Sequence, residues 1–439
     1  MVNMTMKIFV RKALLSFLLF APILLHARTS VLIHEKKSNP LVYTRVVFAG
    51  GNALEKHPGE AYLLGVMLQY SPLSQILEEK GATLEALAEY DYFSLSFEML
   101  SLHQKKTFER VLRFLVSYSP SSQGLELAKF RVRQQLAIQK DDFYHVVRRA
   151  FTQRLYGKHR YAQENTGTLE SLKEITLEDM VRFYKRLLNR KRMTLIMTGN
   201  IDATEASDYD DQIRLLPDEV IMDEKEMVSM PEQQKDESFT IKAPVTQTFV
   251  RIGTLGVPRN HPHYLDYLIM SDMIGGGFGS LLMRQLREEK GLTYSPVANF
   301  YSLRREKGYF FVAYSTRPEN LRKSLGLVRG IFTTLQSQGI NFHNFSLSCR
   351  YLYGILLNQQ ESNAGMAGIL TEAAVFDLPL DYWQQDQRRL REMILENEKF
   401  EKAGQKELNS ATHFQRVNQR IREFFKASKW LQVILQAQG

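Results

Sequence analysis

Short runs of β-branched and aromatic residues alternate with longer segments whose apolar positions recur at helical spacing, and the chain passes through this order twice. The run Val42-Tyr-Thr-Arg-Val-Val-Phe48 predicts a strand, Ala49-Gly-Gly-Asn52 a turn, and His57-Pro58 the opening of an apolar helix to Tyr70. A second helix over 74–80 stops at Gly81, and residues 83–97 alternate like paired strands. Phe108, Val111, Leu112 and Leu115 then form one stripe on a helix over 105–118. A long helical region over 125–156 follows. Thr176-Leu-Glu-Asp179 has the form of a capping box ahead of a helix over 180–188, and Met193-Thr-Leu-Ile-Met-Thr-Gly-Asn200 predicts a buried strand ending in a turn.

The order restarts at Thr248. Phe249-Val-Arg-Ile252 predicts a strand, and His261-Pro262 opens a helix through Ile274. Leu281, Leu282 and Leu286 mark a helix over 281–290 that Gly291 stops, and a strand predicted from Leu292 carries Tyr294. Strands through Tyr314, a helix over 318–336 and a closing strand at Trp430-Leu-Gln-Val-Ile-Leu-Gln436 complete it. Glu-Glu-Lys-Gly occurs at 78–81 and again at 288–291, each time after a helix and downstream of His-Pro. One shared tetrapeptide proves little, but the shared order argues for an internal duplication into two homologous α+β halves.

At 439 residues, 44% hydrophobic and 24% charged, the chain has room for two full cores and the composition of an ordinary globular protein. Of its net charge of +9, three charges come from Lys7, Arg11 and Lys12 in a leader without acids; the remainder is too diffuse to argue for nucleic acid. After that basic start the apolar run Ala13–Leu25 would make roughly 20 Å of helix, short of the ~30 Å hydrocarbon core. Residues 1–27 therefore read as a signal peptide and the chain as exported, periplasmic or extracellular. Cys349 is the single cysteine, so no intrachain disulfide is available. An acid-rich stretch broken by Pro217 and Pro231 separates the halves. The expected division is 1–27 signal peptide, 38–203 first domain, 204–240 acidic linker and 241–439 second domain.

Over nearly all of its length after the leader the chain resembles the pitrilysin/insulinase family of zinc metallopeptidases, which includes processing peptidases and respiratory-complex core subunits. The resemblance rests on Gly275-Gly-Gly-Phe-Gly-Ser-Leu-Leu-Met-Arg-Gln-Leu-Arg-Glu-Glu-Lys-Gly-Leu-Thr-Tyr-Ser295, on Tyr156-Gly-Lys-His-Arg-Tyr161 and Thr166-Gly, and on Ile175-Thr and Thr198-Gly-Asn200. It implies two halves, each an antiparallel sheet with helices packed on it, around a chamber for peptides. Active members carry His-x-x-Glu-His on the first helix, two imidazoles for one zinc and a glutamate as general base. Here that motif falls on Tyr62, Gly65 and Val66, and Gln134 or Gln135 stands where a distal glutamate ligand is expected. His57 and Glu60 stand three apart, but Pro58 and Gly59 make that segment a helix opening. His103, His145, His159, His261 and His263 have no second partner at metal spacing. No zinc is expected in this chain.

Arg287 and Tyr294 match the family's paired Arg and Tyr, whose implied role is to hold a substrate carbonyl and to donate to the oxyanion at a zinc site borne elsewhere. Gly275-Gly-Gly-Phe-Gly lacks the Lys-Ser/Thr of a phosphate loop. The expectation is a non-catalytic subunit of a two-chain zinc metalloendopeptidase that supplies Arg287 and Tyr294 to a homologous zinc-bearing partner and extended peptide substrates. The alternative is a peptide-binding or structural protein without a proteolytic role. Exposed sheet edges in either half offer a further way to take an extended peptide.

Overall fold

The computed structural model describes residues 30–218, 230–233, 235–304, 306–403 and 412–438, so the leader and the middle of the acidic stretch lie outside the described residues. In chain order come β1 (Ser30–Glu35), β2 (Leu41–Ala49), α1 (Glu60–Gln69), α2 (Pro72–Glu78), β3 (Glu85–Ala88), β4 (Tyr92–Leu100) and α3 (Ser101–Ser117). Next are α4 (Ser122–Asp141), α5 (Phe143–Tyr156), α6 (Leu169–Glu174), α7 (Leu177–Leu187), β5 (Met193–Gly199) and α8 (Ala206–Ile213). Then β6 (Glu237–Ala243), β7 (Thr248–Leu255), α9 (Tyr264–Gly275), a π-helical turn (Met283–Glu288), β8 (Val297–Tyr301) and β9 (Tyr309–Thr316) follow. The chain closes with α10 (Leu321–Ser337), α11 (Phe342–Gln359), α12 (Asn363–Val375), α13 (Tyr382–Ala403), α14 (Thr412–Ala427) and β10 (Leu431–Ala437).

Two five-stranded sheets result, ordered β1-β5-β2-β4-β3 and β6-β10-β7-β9-β8. Numbering the second from its own first strand reproduces the first, which is the duplication written in topology. The repeated Glu-Glu-Lys-Gly ends both times on a left-handed glycine, Gly81 at φ +72° and Gly291 at φ +58°. A residue with a Cβ strains in that conformation, so the helix before it stops there.

The expectation of antiparallel sheets holds for the pairs β2·β4, β2·β5 and β3·β4 and for their counterparts. It fails at one edge of each sheet, where β1 runs parallel to β5 and β6 parallel to β10. Parallel neighbours need a long crossover, and the whole helical stretch between the first and last strand of each half provides it. β1 also moves the start of the first half ahead of residue 38. The inner strand β5 is buried along its full length, whereas β6 alternates between exposed and half-buried positions as an edge strand does.

The long helical region breaks at Asp142, whose side chain accepts from the His145 N–H and caps α5. That break has a topological consequence. One compact unit comprises the described residues of Met1–Leu136, Glu164–Lys225 and Gln359–Val375, and the other those of Ala137–Gln163, Glu226–Asn358 and Phe376–Gly439. Helix α5 packs on β7 and β10, and α12 packs on β2 and β5. A contiguous division at the acidic stretch therefore gives each of these helices to the wrong sheet. Part of that stretch is itself core: Tyr209 and Ile213 of α8 are buried, and the Tyr209 ring meets Phe108 edge-on at 5.6 Å. No helix among the described residues is long and apolar enough to cross a membrane.

The glycines that follow Ile274 have a local reason in one case. A Cβ on Gly275 would lie 2.2 Å from the Ala298 backbone nitrogen, because the end of α9 lies directly on β8. Gly275→Ala is expected to cost about 1–3 kcal/mol by forcing the two apart. An unchanged denaturant midpoint would contradict that close approach.

Candidate functional site

Helix α1 is driven inward by Leu63, Leu64, Met67 and Leu68, each 3% exposed or less. Glu55 accepts from the Gly59 and Ala61 N–H groups at the helix N-terminus, and Glu60 reaches back to accept from those of Lys56 and His57 in the segment ahead of it. Burial pushes both carboxyls up, Glu55 well above the usual carboxylate range, against the pull of those N–H groups.

On the face where the motif positions fall, the Tyr62 hydroxyl donates to Gln135 Oε1 at 2.5 Å, tying α1 to α4 across 73 residues of sequence. Burial raises the phenol's pKa and so keeps it a donor. Of the two glutamines that sequence left open, Gln135 is the one that meets Tyr62. Val66, one turn further, is half-buried against the core, and a Cβ on Gly65 would sit 3.3 Å from the Ala86 Cβ. A phenol already donating to an amide, an apolar branch and a bare backbone offer zinc no charged or imidazole ligand, so these residues do not fit the metal.

The one group of three potential ligands found among the described residues is His57, Glu60 and Asp179, whose ligand atoms lie within 4.8 Å of one another. Its acceptors are in use. Glu60 holds two backbone N–H groups, and Asp179 accepts from the Thr176 N–H at 3.0 Å and hydroxyl at 2.7 Å and from Lys56 Nζ at 3.0 Å. The charges beside Asp179 are Lys56 and, 3.6 Å away, Arg182. The capping box predicted at Thr176 and Asp179 is present, and Asp179 also ties α7 to the segment ahead of α1.

Burial works to raise the Asp179 carboxyl, but the Thr176 hydroxyl and N–H and the Lys56 ammonium outweigh it and hold the group at about 2. A depressed carboxylate stabilises the fold above its unfolded value of 3.8 and loses that contribution as pH falls toward 2. Asp179→Asn is thus expected to cost about 2 kcal/mol at pH 7, shrinking steadily below pH ~4. Urea unfolding of both proteins across that range checks it; a penalty independent of pH would contradict the ionic origin.

The second cluster lies in the other unit. Arg287 sits in the π-helical turn, where the Glu289 N–H reaches back to the Arg284 carbonyl at 2.9 Å. Such wide turns re-aim a side chain that an α-helix would point elsewhere. The Gly291 N–H donates to the Arg287 carbonyl and the Leu292 N–H to the Leu286 carbonyl, closing the turn. Leu292 is then buried and its carbonyl accepts from the Thr316 hydroxyl at 2.6 Å, so residues 292–296 form a loop and β8 starts only at Val297. This corrects the expectation of a strand at Tyr294. The loop carries Tyr294 into solvent, 76% exposed, with the Arg287 Cζ 4.4 Å from its ring centroid.

Arg287 is half-buried and pairs with no carboxylate among the described residues, although Arg284 in the same turn lies 3.9 Å from Glu289. Its guanidinium also lies 5.7 Å from the Phe278 ring, and Phe278 is 77% exposed. Sequence comparison by motif finds Arg287 and Tyr294 but passes over Phe278, the single bulky residue in the glycine-rich turn, which could have been noticed for that reason alone. A guanidinium whose face rests on a ring keeps its in-plane N–H groups free for an acceptor.

The family model described as the peptidase M16 inactive domain matches residues 174–347, a span that includes Arg287 and Tyr294. A Helicobacter pylori protein named "Non-peptidase homolog YmxG" is 23% identical over 388 residues, covering 84% of this chain and 87% of its own. The crystal structure of a peptidase M16 inactive domain from Pseudomonas fluorescens superposes with a TM-score of 0.81 at 23% identity, over 94% of this chain and 96% of that one. The periplasmic protease PqqL from Escherichia coli superposes with a TM-score of 0.72 at 13% identity, over 93% of this chain but 45% of its own. These two structures share the fold.

Proposed function

We propose, from the premise that this chain is a non-catalytic member of the M16, or pitrilysin/insulinase, peptidase family, that it is the accessory subunit of an exported two-chain metalloendopeptidase. The observation that carries the reading is the contrast between the two clusters. On α1 the motif positions are taken up by a Tyr62–Gln135 hydrogen bond, while half-buried Arg287 lies against the ring of exposed Tyr294 with no acidic partner among the described residues. A cation and a phenol kept in that state suit an acceptor from outside the unit. In this reading Arg287 N–H groups hold a carbonyl of an extended peptide, and the Tyr294 hydroxyl donates to the oxyanion that develops as water attacks. Zinc belongs to the homologous partner.

Two further points support the arrangement. The chain superposes on 45% of the PqqL chain, which leaves room there for a second element of similar length. The periplasmic location of that protein agrees with the secretory leader read at residues 1–27. The other reading, a peptide-binding or structural protein, draws on the relative named a non-peptidase homologue. Co-expression with a neighbouring-gene homologue that bears His-x-x-Glu-His decides between them. The pair is expected to co-elute as a heterodimer and to cleave unstructured peptides that neither chain cleaves alone. A chain that elutes by itself, with no gain of cleavage on mixing, removes the accessory role.

A further inference from the structure

We infer that Phe278 is a positioning residue for Arg287, the two aromatic rings of Phe278 and Tyr294 together fixing where the guanidinium points. The inference deepens the proposed function and rests on it only for its turnover arm. Phe278 gains little by burial: at 77% exposure it leaves a large apolar ring in water on a turn otherwise built of glycines. Single exposed apolar residues are ordinary, but this one lies within cation–π range of a guanidinium that has no carboxylate partner among the described residues.

The π-helical turn brings Arg287 out, the 292–296 loop brings Tyr294 to 4.4 Å from it, and the glycine-rich turn brings Phe278 to 5.7 Å. Three segments that do not pair with one another in the sheet thus converge on one group. An unrestrained arginine gives up considerable rotamer freedom when it takes a ligand, and ring contacts made beforehand reduce that loss. With the Tyr294 ring 4.4 Å from Cζ, the in-plane N–H groups remain the way an oxygen acceptor approaches. Phe278 therefore acts on turnover through Arg287 and touches no reacting atom.

The test has two arms. In the isolated chain, the Nε–Hε resonance of Arg287, assigned by its loss in Arg287→Lys, should shift in Phe278→Leu as the ring current disappears and should return in Phe278→Tyr. In the assembled pair, Phe278→Leu should lower kcat/KM roughly two- to five-fold, the size of an exposed cation–π contact, with Phe278→Tyr restoring it. An unmoved Arg287 resonance in Phe278→Leu overturns the positioning role whatever the pair does, and so does a Phe278→Tyr protein no better than Phe278→Leu. A moved and restored resonance in a chain whose pair cleaves nothing upholds the positioning of Arg287 while removing the peptidase reading.

Discussion

Arg287→Ala is expected to lower turnover of the proposed two-chain peptidase by about 10²–10³-fold, the loss of roughly 2.7–4 kcal/mol that follows removal of one donor to a developing oxyanion or its carbonyl. The expected pattern is a fall in kcat with a smaller change in KM, because a donor placed for charge that builds during attack does more for the transition state than for the ground state. Tyr294→Phe removes only the hydroxyl and keeps the ring beneath Arg287, so it separates donation from stacking. A drop comparable to that of Arg287→Ala assigns the phenol a proton-donating role, whereas unchanged turnover leaves it as a platform. Neither change should disturb the fold, since Tyr294 is mostly in solvent and Arg287 has no ion pair among the described residues to lose. Stability within about 0.5 kcal/mol of the parent is the matching expectation. Full turnover in both variants, with the heterodimer intact, would strip the catalytic part from the proposal.

The second large effect is the creation of a metal site. Tyr62 and Val66 stand four apart on one face of α1, and the Tyr62 hydroxyl already reaches Gln135 on α4. The triple variant Tyr62→His, Val66→His, Gln135→Glu should therefore place two imidazoles and a carboxylate about one point and take up one zinc ion per chain, where the parent is expected to take up none. Dedicated zinc sites contribute roughly 10–16 kcal/mol of binding, and lack of tuned outer partners costs about 10–100-fold in affinity. A dissociation constant near or below micromolar is the expected result, about 8 kcal/mol.

Loss of the Tyr62–Gln135 hydrogen bond would cost about 1 kcal/mol, so the zinc-free variant should melt below the parent and the loaded one above it. Gly65 is left alone because a Cβ there crowds Ala86, and without a general base no peptidase activity is expected. Elemental analysis and melting with and without chelator check both points. A folded triple variant that takes up no zinc would mean that α1 and α4 do not bring these three positions about one point.

Local chemistry made much of this readable. The capping box at Thr176 and Asp179, the glycine stops at Gly81 and Gly291 and the buried run Met193–Gly199 each depend on residues within a turn or a strand of one another, and each is present. The strand expected at Leu292 failed because Leu292 serves the preceding turn, its N–H closing on Leu286 and its carbonyl taken by Thr316. Neither partner is visible in the β-favouring run itself. The expected helix over 281–290 widened into a π-helical turn, and it is that turn which sets the direction of Arg287.

By itself the sequence determined the duplicated order of strands and helices, and its family resemblance singled out Tyr62, Gly65 and Val66, none of them an imidazole or a carboxylate, and the pair Arg287 and Tyr294. Those follow from periodicity, backbone preference and residue identity, all short-range properties. Only the tertiary structure decided that α5 and α12 each lie on the other half's sheet, that β1 and β6 join their sheets in parallel, that Tyr62 closes on Gln135, and that Phe278 shares a guanidinium with Tyr294. An amphipathic stripe states that a helix must be covered but not by what; the choice among distant partners is made by packing and hydrogen bonding once the chain has closed upon itself.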